Sequence, residues 1–428
     1  MPSPCHATAA HFVTVLDAAL PEKFVRQPRK ITPARLVAFL CIMSGFGSKG
    51  YRRVVQELRS GLHRAFGWHS ADDVPTPQAF AQARHGLSRE TCRRAFTAVR
   101  NACQNHLQPA ARTYAGLRIV AIDGTRLTLP PTPTLIEQFG LPRNQRGAAS
   151  APMAGLIQLW DVGSNLPIDF ALAPCDFSER GYALELFDQL GRRDLLIGDR
   201  GYPSFEIFRA LCRRRCRFLL RCRQRHGKEV EQFVASGAND AIVCFIARND
   251  RGQRIAGTPR IPVRLVRIPL PDGRDEILAT NLWLTRGHSR EALAELYTKR
   301  WTIETAFREM KAFHALEDFS AGTPDGIYQE IVAIQIFLLL TAELEAMAKQ
   351  HKPAADEPGA QPFSFNRLMI GDAVIILMRT AATNPEQLPD QLRIQLAEIW
   401  KARSKPRPGR SYPRVRKRPL RGYKPSGG

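Results

Sequence analysis

Apolar residues recur at helical spacing in Phe12–Leu20, Leu36–Met43 and Phe80–Val99, with prolines at positions 28, 33, 75 and 77 punctuating them. This predicts a mostly helical segment up to about residue 110. From Leu117 the pattern changes. The run Leu117–Ile122 reads as a buried strand ending at Asp123-Gly124. Ala154–Asp161 and Pro167–Leu172 read as a strand pair joined through Gly163-Ser164-Asn165. A helix over Gly181–Leu190 is followed by a second buried strand, Leu195–Gly198, which ends at Asp199. Another helix opens near Pro203-Ser204. Short β-type runs at Arg217–Cys222, Ala241–Ala247, Ile261–Pro269 and Glu276–Leu282 are separated by turn signals at His226-Gly227, Asn249-Asp250 and Asp272-Gly273. They predict an all-β insertion. Helix is expected again over Ser289–Ala312, Gly326–Lys349, Asn366–Thr380 and Pro385–Lys401, with a surface loop at Lys352–Pro362.

The most apolar stretch, Ile331–Ala342, falls short of the roughly 20 residues a spanning helix needs. It contains Gln335, and Glu343 and Glu345 follow. It is therefore expected to be a buried core helix. Met1–Ala10 shows no charged segment followed by an apolar run, so no signal peptide is expected. The expectation is a soluble, cytoplasmic protein with no membrane partner. The nine cysteines include no C-x-x-C pair. Cys212, Cys216 and Cys222 are spaced more loosely than a zinc set and read as thiols in a reducing compartment.

Charge narrows the class of partner. The chain carries a formal net charge of +22 with a sequence pI near 10.2, which calls for a polyanion, foremost nucleic acid. Half of the excess lies in residues 401–428, which hold eleven Lys or Arg and no acid. That tail is expected to stay disordered until it meets a polyanion. The run Arg213–Arg225 reads equally as a DNA-facing edge or a solvated junction.

The strongest local signal is Tyr297-x2-Arg300-x3-Glu304-x6-Lys311. On one continuous helix these four side chains would share a sector of about 60°. Leu296, Ile303, Phe307 and Met310 would form a separate apolar face. Alone, the pattern also fits a solvated face with an Arg300–Glu304 pair. Asp123 and Asp199 add weight because each closes a buried strand, where open α/β sheets place ligand chemistry. Singly, each aspartate also fits a turn. Together with Glu304 they form a trio of oxygen donors suited to hard divalent cations.

These blocks resemble the DDE transposases of bacterial insertion sequences, most of all the insertion-sequence-four family with its Tyr-Arg-Glu-Lys signature. Tyr297, Arg300, Glu304 and Lys311 match that signature with all its spacings. Val120-Ala121-Ile122-Asp123-Gly124-Thr125 and Ile197-Gly198-Asp199-Arg200-Gly201-Tyr202 look like the family's two aspartate motifs. Ala279-Thr280-Asn281-Leu282 and Arg300-Trp301-Thr302-Ile303-Glu304 are similar to its third region.

The resemblance implies an α/β fold: an RNase H-like catalytic core interrupted by a β-rich insertion, with a helical N-terminal domain and a helical C-terminal region. On that reading residues 1–110 form a helical DNA-binding domain, 111–216 the first part of the core and 217–285 the insertion. Residues 286–350 form the second part of the core, with the catalytic glutamate helix. Residues 351–402 form the C-terminal helical region and 403–428 the basic tail. Asp123, Asp199 and Glu304 would be catalytic and hold two Mg²⁺ ions, with Mn²⁺ as a substitute. Tyr297, Arg300 and Lys311 would position DNA. The implied partners are double-stranded DNA at terminal inverted repeats and target DNA, with a dimer in the DNA complex. Relatives seat a flipped base on an aromatic residue, but neither Trp283 nor Trp301 matches that position, and both are expected in the core. Two alternatives stand beside transposition: a DNA-binding protein that has lost its chemistry, and an RNase H-like nuclease that hydrolyses without joining strands.

Overall fold

The computed structural model describes residues 7–20, 30–46, 50–104, 107, 113–144, 147–249, 251–270, 273–283, 287–351 and 363–404. The loop at 352–362 and nearly all of the basic tail lie outside them. The chain divides into two compact units. One comprises residues 108–127 and 153–309, the other residues 1–107, 128–152 and 310–428.

The first unit is built on a mixed sheet. Its principal strands are β1 (Leu117–Thr128), β2 (Met153–Asp161), β3 (Leu166–Ala173), β4 (Asp194–Gly198), β5 (Arg217–Cys222), β6 (Asp240–Phe245), β7 (Ile261–Pro269) and β8 (Asp275–Thr280). Across the sheet they run β3-β2-β1-β4-β5-β8-β7-β6, and the short strand Thr113–Tyr114 pairs with β1. β1, β4 and β5 are parallel. β2 and β3 form an antiparallel hairpin, and β5, β8, β7 and β6 pair antiparallel in turn. The hairpin needs a left-handed residue, and Asn165 supplies it at φ 54°.

All five residues of β4 are buried, as its uninterrupted apolar run requires for a strand covered on both faces. Ile122, Leu196 and Leu220 share a core with Ala183, Ile207, Leu211 and Phe233. The helices Glu179–Leu186, Phe205–Arg213 and Gly227–Ala235 thus cover one face of the sheet. Buried Arg264 is fully engaged, donating to Asp240 Oδ2 at 2.6 Å, to the Leu282 carbonyl at 2.9 Å and to the His288 carbonyl at 2.7 Å.

Residues 217–285 differ from the all-β insertion expected. β5 lies directly beside β4, and β6 to β8 continue the same sheet outward. A helix, Gly227–Ala235, intervenes where His226-Gly227 reads as a turn. Gly227 has φ +79°, so the turn is present, but it leads into an amphipathic helix that buries Val230 and Phe233.

The second unit is helical. Its centre is the helix Pro324–Gln350, started by Thr323, whose hydroxyl accepts from Gly326 N–H, and by Pro324 in the first turn. Its most apolar 18-residue window has a mean hydropathy of 1.9 and is 94% buried within the protein. A helix apolar all round must be covered on every side. The cover comes from segments far apart in sequence: Pro33–Gly45, Arg89–Gln104, Arg367–Thr383 and Leu388–Lys401. Helices from residues 1–110 and 351–402 therefore share one core here, although their sequence patterns read as separate regions.

The acids on this central helix are all engaged. Glu343 accepts from Thr8 N–H at 3.0 Å and from the Thr8 hydroxyl at 2.6 Å. Glu345 pairs with Arg367 at 3.0 Å. Fully buried Glu330 pairs with Arg84 at 3.1 Å, and Arg84 also donates to the Gln329 side chain and the Gly326 carbonyl. Removing one partner would strand a buried charge. Glu330→Ala is expected to destabilise the protein by about 3–5 kcal/mol, read as a lower urea midpoint. An unchanged midpoint would show that Arg84 finds water instead.

Candidate active site

Ile122 pairs with Gly198 at the last register position between β1 and β4. Asp123 and Asp199 come next on adjacent parallel strands, where neighbouring chains run about 4.8 Å apart. Asp199 stands just past the end of β4, as its sequence pattern predicts. Asp123 does not end its strand, because β1 continues to Thr128. It marks instead the point where β1 leaves its pairing with β4. Each carboxylate is fixed by a nearby amide: Gly124 N–H donates to Asp123 Oδ1 at 2.9 Å, and Gly201 N–H to Asp199 Oδ1 at 2.7 Å. The turn reading of each aspartate and the catalytic one are thus compatible.

The helix expected over Ser289–Ala312 is two helices, Arg290–Thr298 and Trp301–Phe313. Between them the backbone tightens, with Arg300 N–H donating to Tyr297 O at 3.1 Å and Ile303 N–H to Arg300 O at 3.3 Å, bonds of three-residue span. Tyr297 therefore sits in the last turn of the first helix and Arg300 in the junction. Glu304 and Lys311 lie on the second helix. The apolar set Leu296, Ile303, Phe307 and Met310 is buried as its spacing predicts. The polar set is less exposed than a solvated face would be: Tyr297 and Arg300 are each 7% exposed.

Arg300 connects the pieces. One terminal nitrogen, Nη1, stands 2.5 Å from Glu304 Oε1 and 4.0 Å from Asp123 Oδ2. A β1 aspartate and a glutamate 181 positions later in the sequence thus flank a single guanidinium. The ring of Tyr297 lies 5.8 Å and that of Trp301 4.9 Å from its central carbon. Tyr297 Oη and Arg300 Nε are buried with no protein partner, so both have hydrogen bonds left to give. Lys311 belongs to the other compact unit, where its Nζ stands 3.5 Å from Glu317 Oε2.

The tryptophans depart from expectation. Trp301 is 59% exposed, and Trp283 is half-buried. A position in the tightened junction turns Trp301 away from the core despite its apolar ring. In the arginine-rich run, Arg214 pairs with Asp188 and Arg221 with Glu276, while Arg213, Arg223 and Arg225 are exposed.

Sequence reading overlooked Glu179. Its carboxylate lies close to Asp199, and a glutamate at the start of a helix looks like ordinary pairing with the helix dipole. Burial, with Asp199 adding repulsion, raises its pKa. Burial also pushes Asp123 up to about 7; Asp199 and Glu304 add to the rise, while the Gly124 amide and Arg300 oppose it.

The donor set is all oxygen, as a hard divalent cation requires. As the side chains stand, no three His, Cys, Asp or Glu groups among the described residues converge on one point. Arg300 lies against both Asp123 and Glu304, closer to the glutamate. By the chemistry of their oxygen donors, the residues fit a magnesium-type cation.

Residues 114–340, more than half of the chain, match the family described as transposase DDE domain. The chain belongs to the DDE transposase family. The transposase InsG for insertion sequence element IS4, from Escherichia coli strain K12, is 25% identical over 346 residues, covering 79% of this chain and 76% of InsG. A cryo-EM structure of a piggyBac transposase synaptic complex with hairpin DNA aligns with 96% of this chain and 87% of its own, at 11% identity and a TM-score of 0.43. A crystal structure of a pre-cleavage Mos1 transpososome aligns with 78% and 82%, at 12% identity and a TM-score of 0.18. Those two structural likenesses are too distant to inform individual residues. The transposase is thus a DDE-type nucleotidyl transferase, and its family implies a DNA partner and dependence on divalent metal.

The raised pKa of Asp123 has a consequence for the metal-free transposase. The folded state holds a proton that the unfolded state releases at ordinary carboxylate pH. The folded state therefore binds more protons between about pH 4 and 7, and stability falls as pH rises through that window. In chelator, Asp123→Asn is expected to raise the unfolding free energy at pH 8 by roughly 2–4 kcal/mol, read as a higher urea midpoint, and to change little at pH 4. Equal effects at both pH values would show that the carboxylate titrates normally.

Proposed function

We propose that this transposase cuts and pastes an insertion sequence, with Asp123, Asp199 and Glu304 as its catalytic carboxylates. The observation that carries the assignment is the juxtaposition of Asp123 and Asp199, each one residue past the last β1–β4 pair, with Arg300 reaching from the later helices to both Asp123 and Glu304. The strand order β3-β2-β1-β4-β5, with β1, β4 and β5 parallel, supports an RNase H-like core. Strands β6 to β8 are then an insertion that widens its sheet.

Asp123, Asp199 and Glu304 would hold a pair of Mg²⁺ ions, with Mn²⁺ as a substitute. Bound at a scissile phosphate, such a pair activates the attacking oxygen and stabilises the leaving one. The protein's own groups orient the DNA. Arg300, now paired with Glu304, would present a planar fork to a phosphate if that carboxylate took a metal. Tyr297 has a free hydroxyl to donate, and Lys311 adds a mobile positive charge. Water attack at an element end would free a 3′-hydroxyl, which then attacks target DNA. The substrate is double-stranded DNA at terminal inverted repeats, and pairing of two ends implies a dimer on DNA.

Cleavage and joining assays with terminal-repeat DNA separate the possible outcomes. Asp199→Ala is expected to abolish both cleavage and joining; full activity would overturn the assignment. Cleavage without joining in the unmodified protein would indicate a nuclease. Lys311→Ala is expected to weaken end binding and to reduce the slope of log affinity against log salt by about 0.9. An unchanged slope would remove Lys311 from phosphate contact.

A further inference from the structure

Glu179 is a fourth carboxylate beside the catalytic aspartates. It is half-buried at the first position of the helix Glu179–Leu186. Gly124, next to Asp123, and Gly201, two residues past Asp199, make room for it. A Cβ on Gly124 would lie 3.1 Å from Glu179 Oε1. A Cβ on Gly201 would lie 3.0 Å from Asp199 Oδ1 and 3.3 Å from Glu179 Oε2. Any larger residue at either position would press on these oxygens. The helix start is tied to the same loop, since Arg180 Nε donates to the Gly201 carbonyl at 2.8 Å.

Tyr202 supplies a separate observation. Its side chain is fully buried, and its hydroxyl has no hydrogen-bond partner. The charged groups that act on that hydroxyl are Asp123, Glu179 and Asp199. A buried, partnerless hydroxyl within the electrostatic reach of these carboxylates is costly unless the occupied state gives it an acceptor.

We propose that Glu179 contributes its carboxylate to the divalent-cation site beside Asp199, with the Tyr202 hydroxyl orienting the carboxylates once they close. This rests on the reading of Asp123 and Asp199 as cation ligands. A residue that merely complements the helix dipole would need neither the two small neighbours nor the orphaned phenol. Glu179 supplies the oxygen type that Mg²⁺ and Mn²⁺ prefer.

Binding of Mn²⁺ to the full chain, followed through the electron paramagnetic resonance signal of the free ion, tests this without relying on turnover. Glu179→Gln is expected to weaken Mn²⁺ binding tenfold or more, Glu179→Asp to fall between it and the unmodified protein, and Asp199→Asn to weaken binding at least as much as Glu179→Gln. Should Glu179→Gln fail to fold, the intermediate affinity of Glu179→Asp carries the test. If Asp199→Asn loses affinity while the Glu179 variants bind like the unmodified protein, Glu179 is a helix-start residue and the inference is overturned. If Asp199→Asn also binds unchanged, the cation-site assignment itself fails and takes the inference with it.

Discussion

Carboxylates held close together in a half-buried setting repel one another, and this repulsion constrains everything around the transposase's site. Asp123 lies within β1 directly after the buried run Ile119–Ile122, so its charge is partly stripped of water. The protein compensates with one buried guanidinium. Arg300 is placed by a tightened junction between two helices, and from there it reaches both Glu304 and Asp123. A continuous helix would have carried Arg300 at a different height and rotation. The local backbone irregularity and the electrostatic balance are therefore one feature.

Much of this was legible along the chain. The buried strands before Asp123 and Asp199, the hairpin, and the apolar face made by Leu296, Ile303, Phe307 and Met310 follow from residue pattern and burial alone. Such patterns report the local period directly. The signature Tyr297, Arg300, Glu304 and Lys311 also identifies the helix that carries the proposed catalytic acid. Its spacing cannot show that Lys299–Arg300 interrupts the helix, because the residues there have ordinary helical preferences.

Other features were hidden for physical reasons. Strand β5 carries the same β-type pattern whether it belongs to the central sheet or to an insertion, and only pairing with β4 decides. Trp301 has an apolar ring that favours burial, yet its place at the junction leaves it exposed. Glu179 was invisible because a first-turn glutamate is commonplace. Its meaning emerges only from the two glycines and the buried tyrosine that the fold gathers around it.

The central helix of the second unit has a consequence for synthesis. Helices from the first hundred residues depend on Pro324–Gln350 for their apolar partner. At roughly 5–20 residues per second, the ribosome delivers that partner some 10–50 s later. Until then, the faces of Pro33–Gly45 and Arg89–Gln104 that pack on this helix lack that part of their native cover. Translation stopped ahead of residue 324 would leave Pro33–Gly45 and Arg89–Gln104 without the helix they pack on.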